Sequence, residues 1–569
     1  MDTVYEPLPS TPTQQSIKRR YRLLRVVPER YWWQVLVAGP GAPGVPYGTP
    51  EDGRMLLGKD GQGPIVNLGY VKYQGLWQAN GIAEFTGMRY AKAPLGELRW
   101  RAPEDPGKQH GLRRATQFGK ACHATGRGLM PGHSEDCLFA NVWTPSHVTG
   151  ATKLPVWVFI QGGGYNSNSA VETRGSEIVA ASGYNVVVVT FNYRVSLWGF
   201  LAGEAVKKDG VLNVGLHDQR KLLHWVQRHI SKFGGDPSQV MIHGHSAGAG
   251  SVAHQLTAYA ARNDSLFASA LLQSPFFPPQ PEVSEVEWMF NATAQLAGCN
   301  ATDNSVMACL RAADGHMLQD IVNHARVAPG KTGSSIFYWL PVTDGDFVQG
   351  NVVVAMKEGR YVPVPLVAGT VNNEGSTFGS EATSFDDLLD FVSNNFPHYN
   401  SSWSSVLKED YPLTTAISGH ASWFPTTSQC YGDSIFTCPM LLSTQAGSGP
   451  SIWVYRYNVT DENEAALGLG VPHGADLPAF FGPSSTSSPQ SYFTYNALMV
   501  ELVMRYMISF ARTKNPNTLE QEADKLQEWP QWRSDRRTRQ VFELGNVRTE
   551  QLGDDVQQRC RDWGGLLGY

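Results

Sequence analysis

Val240-Met-Ile-His-Gly-His-Ser-Ala-Gly-Ala-Gly250 reads as a short apolar strand, a tight turn and the first residues of a helix. Within the turn, Gly244-His245-Ser246-Ala247-Gly248 is a Gly-x-Ser-x-Gly pattern. A serine that attacks a carbonyl has to stand clear of the backbone on a sharp, strained turn. The positions flanking it must be nearly without side chain, or they collide across the turn. The helix that follows aims its free N–H groups back at the reacting oxygen. Glycine supplies 57 of the 569 residues, so the pattern arises easily by chance. Its meaning rests on partners elsewhere in the chain.

The flanking sequence supplies an α/β rhythm. Leu216, Leu223, Val226, Ile230 and Phe233 recur mostly three or four residues apart, an amphipathic helix over 214–233 that stops at Gly234-Gly235 and the turn Asp236-Pro237. Leu154–Ile160 and Asn185–Tyr193 are continuous apolar runs of strand length. Runs without alternation suit strands covered on both faces, hence a largely parallel sheet flanked by helices. Further strands are expected at Leu266–Gln273, Val364–Val371 and Ser451–Asn458, and a long helix over Asn496–Thr513. Strand, helix, strand, elbow, helix is the order of an α/β fold.

A serine near neutral pH is a poor nucleophile. It needs a base, usually histidine, and the base needs a carboxylate to hold its tautomer and stabilise the imidazolium. Where the serine stands on such an elbow in an α/β fold, the partners sit on loops after strands, in the order serine, acid, histidine. Glu374 follows the strand 364–371 and His473 lies in a loop beyond the strand 451–458, so both fit. By pattern alone Asp344, Asp346 and Asp433 remain open as the acid, and His398 and His420 as the base. The glycine run Gln161-Gly-Gly-Gly-Tyr165, directly after the strand 154–160, suits backbone donors that approach a developing oxyanion. It lacks the Lys-[Ser/Thr] ending of a phosphate loop.

Composition bounds the rest. Apolar residues make up 42% and aromatic residues 11%, as in a globular chain with a large core. A net charge of −5 gives no reason to expect nucleic acid as a partner. No apolar run reaches the roughly 20 residues needed to span a bilayer. Residues 1–63 are rich in Pro and Gly, with Gly39-Pro-Gly-Ala-Pro-Gly-Val-Pro46 at their centre, and read as a poorly ordered extension before one domain over 64–569. They show no clear signal peptide at Met1. The close pairs Cys122/Cys137, Cys299/Cys309 and Cys430/Cys438, with sequons at Asn263, Asn291, Asn300, Asn400 and Asn458, favour a secretory or extracellular setting and a glycoprotein. No Cys/His spacing suits zinc.

From Asn67-Leu-Gly-Tyr70 to about Trp563 the chain resembles the type-B carboxylesterases, the family of cholinesterases and fungal esterases and lipases. The matches include Gly96–Glu104, Ser134-Glu-Asp-Cys-Leu138, Gly162-Gly-Gly-Tyr165, Asn192-Tyr-Arg194 and Gly215-Leu-His-Asp-Gln219. They continue through Phe233–Pro237, Gly244–Gly248, Glu374-Gly375 and His473-Gly-Ala-Asp-Leu-Pro478. The resemblance implies an α/β-hydrolase fold and hydrolysis of neutral carboxylic esters without cofactor or metal. It implies Ser246 as nucleophile, Glu374 as acid and His473 as base, with the N–H groups of Gly163, Gly164 and Ala247 as oxyanion hole. It also implies disulfides Cys122–Cys137 and Cys299–Cys309, and Cys438 with Cys560, leaving Cys430 a thiol; Cys430–Cys438 is the other pairing. Transfer of the acyl group to an alcohol, and a binding protein without catalysis, are the competing functions.

Departures from the family pattern bear on specificity. His245 stands where the family usually has glutamate, and its side chain is expected to point away from substrate into packing. Ser274-Pro-Phe-Phe277 replaces a common Ser-Gly, so Phe276 and Phe277 either narrow the acyl side or belong to the core. In cholinesterases the first disulfide loop carries a tryptophan for a quaternary ammonium. Here 123–136 holds no Phe, Tyr or Trp, so no preference for choline esters is expected.

Overall fold

A computed structural model describes residues 63–126, 130–167, 173–300, 304–322, 327–445, 449–518 and 526–569. The extension expected over 1–63 lies outside these residues, Gly63 excepted. Eleven of the described strands form one sheet: β1 (Leu76–Gln78), β2 (Ile82–Arg89), β3 (Phe139–Pro145), β4 (Leu154–Ile160), β5 (Val187–Phe191), β6 (Gly235–His245), β7 (Ser269–Gln273), β8 (Leu366–Val371), β9 (Ile452–Tyr457), β10 (Thr538–Phe542) and β11 (Arg548–Gln551). Their spatial order is β11-β10-β9-β8-β7-β6-β4-β5-β3-β2-β1. Strands β5, β4, β6, β7, β8, β9 and β10 run parallel, and antiparallel pairs close both edges.

The unbroken apolar runs are explained by what covers the sheet. Along β4, Val156, Val158 and Ile160 face one hydrophobic cluster, and Trp157 and Phe159 face another. On the first face lie Leu216, Leu222 and Val226 of helix Val214–His229 and Val252 and Leu256 of helix Ala247–Ala261. On the second lie Phe480 and Phe481 of helix Leu477–Phe481, and Met499, Val503 and Met507 of helix Ala497–Thr513. Each such side chain, fully buried, contributes about 1.5–3 kcal/mol. The structure is an α/β-hydrolase fold, with the large, mostly parallel sheet and flanking helices that the sequence implies.

The expected strand Leu154–Ile160 is found with its bounds unchanged, the others have trimmed ends, and one is longer. β6 begins at Gly235, before the expected Val240, and its pairing with β4 slips between Gly235 and Val240. The expected helix over 214–233 is α-helical to His229 and tightens into a 3-10 turn over Ile230–Phe233. Gly234, at φ +79°, ends it in the left-handed region that favours glycine.

Three disulfides form: Cys122–Cys137, Cys299–Cys309 and Cys438–Cys560, and Cys430 is a buried thiol. The alternative Cys430–Cys438 bond is thus not made. Asn263, Asn291, Asn300 and Asn400 are exposed. Asn458 is half-buried and its side-chain amide donates to Glu543 at 3.0 Å. Among the described residues no helix is long and apolar enough to cross a membrane. The carboxyl ends of β4, β6, β7, β8 and β9 lead into the loops carrying Gln161–Tyr165, Ser246, Phe276, Glu374 and His473. In open α/β sheets this edge is where ligands bind.

Candidate active site

Ser246 sits between the last residue of β6 and the first of helix Ala247–Ala261, at φ 58°, ψ −127°. A non-glycine residue held there stores roughly 1–3 kcal/mol of strain. Its neighbours hold it. The Ser246 N–H donates to the Gln273 carbonyl at 2.9 Å, and its carbonyl accepts from Ala249, Gly250 and Phe276 at 2.9, 3.0 and 3.1 Å. The two glycines of the motif are sterically required. A Cβ on Gly244 would stand 2.1 Å from the Gly248 carbonyl oxygen, and one on Gly248 would stand 1.9 Å from that of Ile160.

Glu374 and His473 come together. His473 Nδ1 lies 2.5 Å from Glu374 Oε2. Glu374 Oε1 accepts the Val371 N–H at 2.9 Å. Burial pushes the Glu374 carboxyl up, and the Val371 bond opposes the shift by favouring the carboxylate. The two loops are stitched to each other. The Asn373 N–H donates to the Val471 carbonyl at 3.0 Å, and the Val471 N–H donates to Asn373 Oδ1 at 3.0 Å.

His473 is boxed by the rings of Phe436, His245 and Phe378, with centroids 4.5, 4.8 and 5.3 Å away. Burial pushes the imidazole down to about 3, so it is neutral near pH 7 and able to take a proton. Its Nε2 is buried and has no hydrogen-bond partner among the described residues.

The other candidates left open by pattern are engaged elsewhere. Asp344 accepts from the Asp346 and Val348 N–H groups and from Asn213, and Asp346 is exposed. Asp433 is bonded to Arg559 and Tyr411. His398 pairs with Glu285 at the surface, and His420 bonds Glu381 and the Leu467 carbonyl.

The glycine run passes directly against Ser246. A Cβ on Gly162 would stand 2.7 Å from the Ser246 Cβ. Gly163 and Gly164 have φ of +112° and +61°, and a Cβ on Gly164 would strike the Phe337 ring at 2.1 Å. The Gly163 carbonyl accepts from Asn166 and Ser167, and the Asn166 side chain donates to the Gly164 carbonyl, which fixes the turn. The Gly163 and Gly164 N–H groups donate to no described residue. Ala247 opens its helix, so its N–H has no intrahelical acceptor.

Two neighbours of the site were not singled out as working residues by the sequence. Asp476 is buried; the Tyr455 hydroxyl donates to it at 3.0 Å, and burial with the nearby Glu374 pushes its carboxyl up to about 7. It lies inside the quoted His473–Pro478 stretch, which was the available signal. His245 is buried, as expected of packing, yet the ring it packs on is that of His473. Only its place beside Ser246 marked it.

A buried serine on a strained turn, a neutral imidazole held by a carboxyl group and backbone N–H groups beside them are the kinds of groups that acyl transfer through a covalent intermediate needs. Comparisons with known proteins agree with that chemistry. The family model described as "Carboxylesterase family" matches residues 63–563. Lipase 1 of Geotrichum candidum is 31% identical over 544 residues, covering 82% of this chain and 90% of that protein. Acetylcholinesterase of Bungarus fasciatus is 30% identical over 539 residues, covering 88% and 85%. The crystal structure of Aspergillus niger EstA superposes with a TM-score of 0.84 at 41% identity, covering 89% of this chain and 98% of that one.

Proposed function

Because this chain belongs to the carboxylesterase family and is a serine carboxylic ester hydrolase, we propose that Ser246 is its nucleophile, His473 its base and Glu374 the acid that orients the base. Ser246 Oγ attacks the ester carbonyl while His473 Nε2 takes its proton. Glu374 stabilises the imidazolium, and the N–H groups of Gly163, Gly164 and Ala247 receive the oxyanion. His473 then protonates the leaving alcohol and, as a base once more, activates the water that releases the acid. The observation that carries this reading is the 2.5 Å contact of His473 Nδ1 with Glu374, which leaves a buried, unpartnered Nε2.

The substrate is read as a neutral ester with a bulky apolar acyl group. A cavity of about 360 Å³ is lined by Phe276, Val286, Met289, Phe337 and Leu340 among others. Phe276 donates its N–H to the Ser246 carbonyl, and Phe337 packs on the oxyanion loop at Gly164, so the cavity shares two rings with the surroundings of the nucleophile. Apolar pockets of ~300–1,000 Å³ suit small organic ligands. The absence of aromatic residues over 123–136 argues against choline esters.

Steady-state hydrolysis of p-nitrophenyl esters tests the roles. Ser246→Ala and His473→Ala are expected to lose roughly 10⁴–10⁶ in kcat, with product analysis in the presence of competing alcohols separating hydrolysis from transfer. Turnover of Ser246→Ala at the wild-type rate refutes the proposal.

A further inference from the structure

His245 occupies a position that the proposed mechanism does not use. Its ring is wedged between the two halves of the site. On one side, a Cβ at Gly162 of the oxyanion loop would stand 3.4 Å from its Nδ1. On the other, a Cβ at Gly474 would stand 3.6 Å from its Cε1, and its centroid lies 4.8 Å from that of His473 at an interplanar angle of 30°. The side chain is 92% buried, since 8% is exposed, and its Nε2 has no partner among the described residues.

The groups facing this pair are few. On the strand of His245 itself stands His243. The Trp157 indole N–H donates to its Nδ1 at 3.0 Å, so its proton is on Nε2, which bonds Gln273 Oε1 at 2.9 Å. From β7 the register partner of His245 is Gln273, which is uncharged. From the loop after β9 come His473 and Gly474. Behind His473 stand Glu374 and the buried Asp476, whose carboxyl the nearby Glu374 pushes up. Phe378 and Phe436 pack on the His473 ring, and His473 and Gly474 line a cavity of about 260 Å³ that also carries Asp461 and Glu464.

We propose that the uncharged side chain at position 245, in ring contact with His473, tunes the ester hydrolysis: with no carboxylate there, Glu374 is the one carboxylate bonded to the base, and the base stays unprotonated in mildly acidic solution. The inference rests on His473 being the base. Two imidazolium ions at this separation would repel each other, so protonating one opposes protonating the other. Burial and the proximity of His473 act on His245 in that direction, pushing it well below the ordinary histidine range. A carboxylate in place of His245 would do the opposite and stabilise the His473 imidazolium.

The test is the pH dependence of kcat/KM for p-nitrophenyl butyrate, which reports the essential base of the free enzyme. Wild type, His245→Gln and His245→Glu are compared between about pH 4 and 9, each rate divided by the sites titrated with an organophosphonate. Wild type and His245→Gln are expected to share an acid-limb midpoint below 6.5, the ordinary histidine value. In His245→Glu the midpoint should rise by about 1–3 units, because an anion within ~4–6 Å favours the imidazolium. If His245→Glu yields no titratable sites, His245→Asp carries the same charge in a smaller side chain and decides on the same readout. Proton NMR of the wild-type His473 Cε1–H gives an independent midpoint, and a value at or above 6.5 overturns the proposal. So does a carboxylate variant whose midpoint matches wild type, or a His245→Gln variant whose midpoint rises as far as the carboxylate's. Failure of the wild type to react with the phosphonate would instead overturn the assignment of nucleophile and base.

Discussion

Asn373 and Val471 exchange two hydrogen bonds, each 3.0 Å, and thereby couple the loop of Glu374 to the loop of His473. A carboxylate and an imidazole from loops about a hundred residues apart in sequence meet because these bonds bring the loops into register. Asn373→Ala removes the bond to the Val471 N–H. We expect a loss of about 0.5–1.5 kcal/mol in stability and, more telling, a fall of roughly tenfold in kcat with KM little changed, since misplacing a base acts on the chemical step. Steady-state kinetics beside a denaturant titration check both.

The elbow glycines are tests of geometry. Gly248→Ala would place a methyl carbon 1.9 Å from the Ile160 carbonyl oxygen, backbone that β4 holds in the sheet centre. The expected cost is about 2–4 kcal/mol, seen as a lowered thermal midpoint and lost activity together. A fully stable, active Gly248→Ala protein would contradict the described turn.

Much of this was legible in the sequence because the elements are strongly written. The runs at 154–160 and 185–193 are unbroken and apolar, as suits strands covered on both faces, and the turn glycines at 244 and 248 have one steric reason. Glu374 and His473, the proposed acid and base, were legible as a pair of loop residues but not separable by pattern from Asp433 or His420. What excludes those is tertiary: Arg559 and Tyr411 hold the one, and Glu381 and the Leu467 carbonyl hold the other. The contact of His245 with His473 was not legible, because nothing in the spacing of residues 245 and 473 records that their rings meet. The longer β6 has the same origin. Gly235 pairs with Leu154 only through a shift in register, which no local pattern encodes.

The cavity beside Phe276 and Phe337 predicts a dependence on acyl length. Val286→Trp fills it from helix Val283–Leu296. Activity on decanoyl esters should fall at least about tenfold while acetyl esters are barely affected, because only the longer chain needs the space. An equal loss on both would place the acyl group elsewhere. The readout is kcat/KM across p-nitrophenyl esters of increasing length.

Two buried histidines outside the mechanism bear on stability. Burial pushes His243 to about 3 and His254 to about 4. Below the unfolded histidine value near 6.5 the unfolded chain binds protons that the folded chain refuses, so each lowers stability as pH falls, by up to about 1.4 kcal/mol per unit. That effect is absent above 6.5 and levels off once pH passes below the folded value. His254→Gln should therefore flatten the decline of the unfolding free energy between pH 6.5 and 5, by about 1 kcal/mol per unit. A parallel decline in both proteins would show that His254 does not remain neutral when folded.

The disulfide Cys438–Cys560 closes a loop of 122 residues and ties helix Cys438–Ser443 to the C-terminal helix Asp554–Leu567. Replacing both cysteines with alanine should cost about 2–5 kcal/mol, more than the same change at Cys299 and Cys309, whose separation is 10 residues. Denaturant midpoints of the two double variants give the comparison.

The most direct test of the proposed chemistry is the intact mass of the protein after reaction with a fluorophosphonate. Wild type should gain one phosphonyl group, located by peptide mapping on Ser246, and Ser246→Ala should gain none. His473→Ala, which keeps the serine but lacks the base, should react slower by orders of magnitude. Labelling of Ser246→Ala to the same extent as wild type would contradict the assignment of Ser246 as the nucleophile.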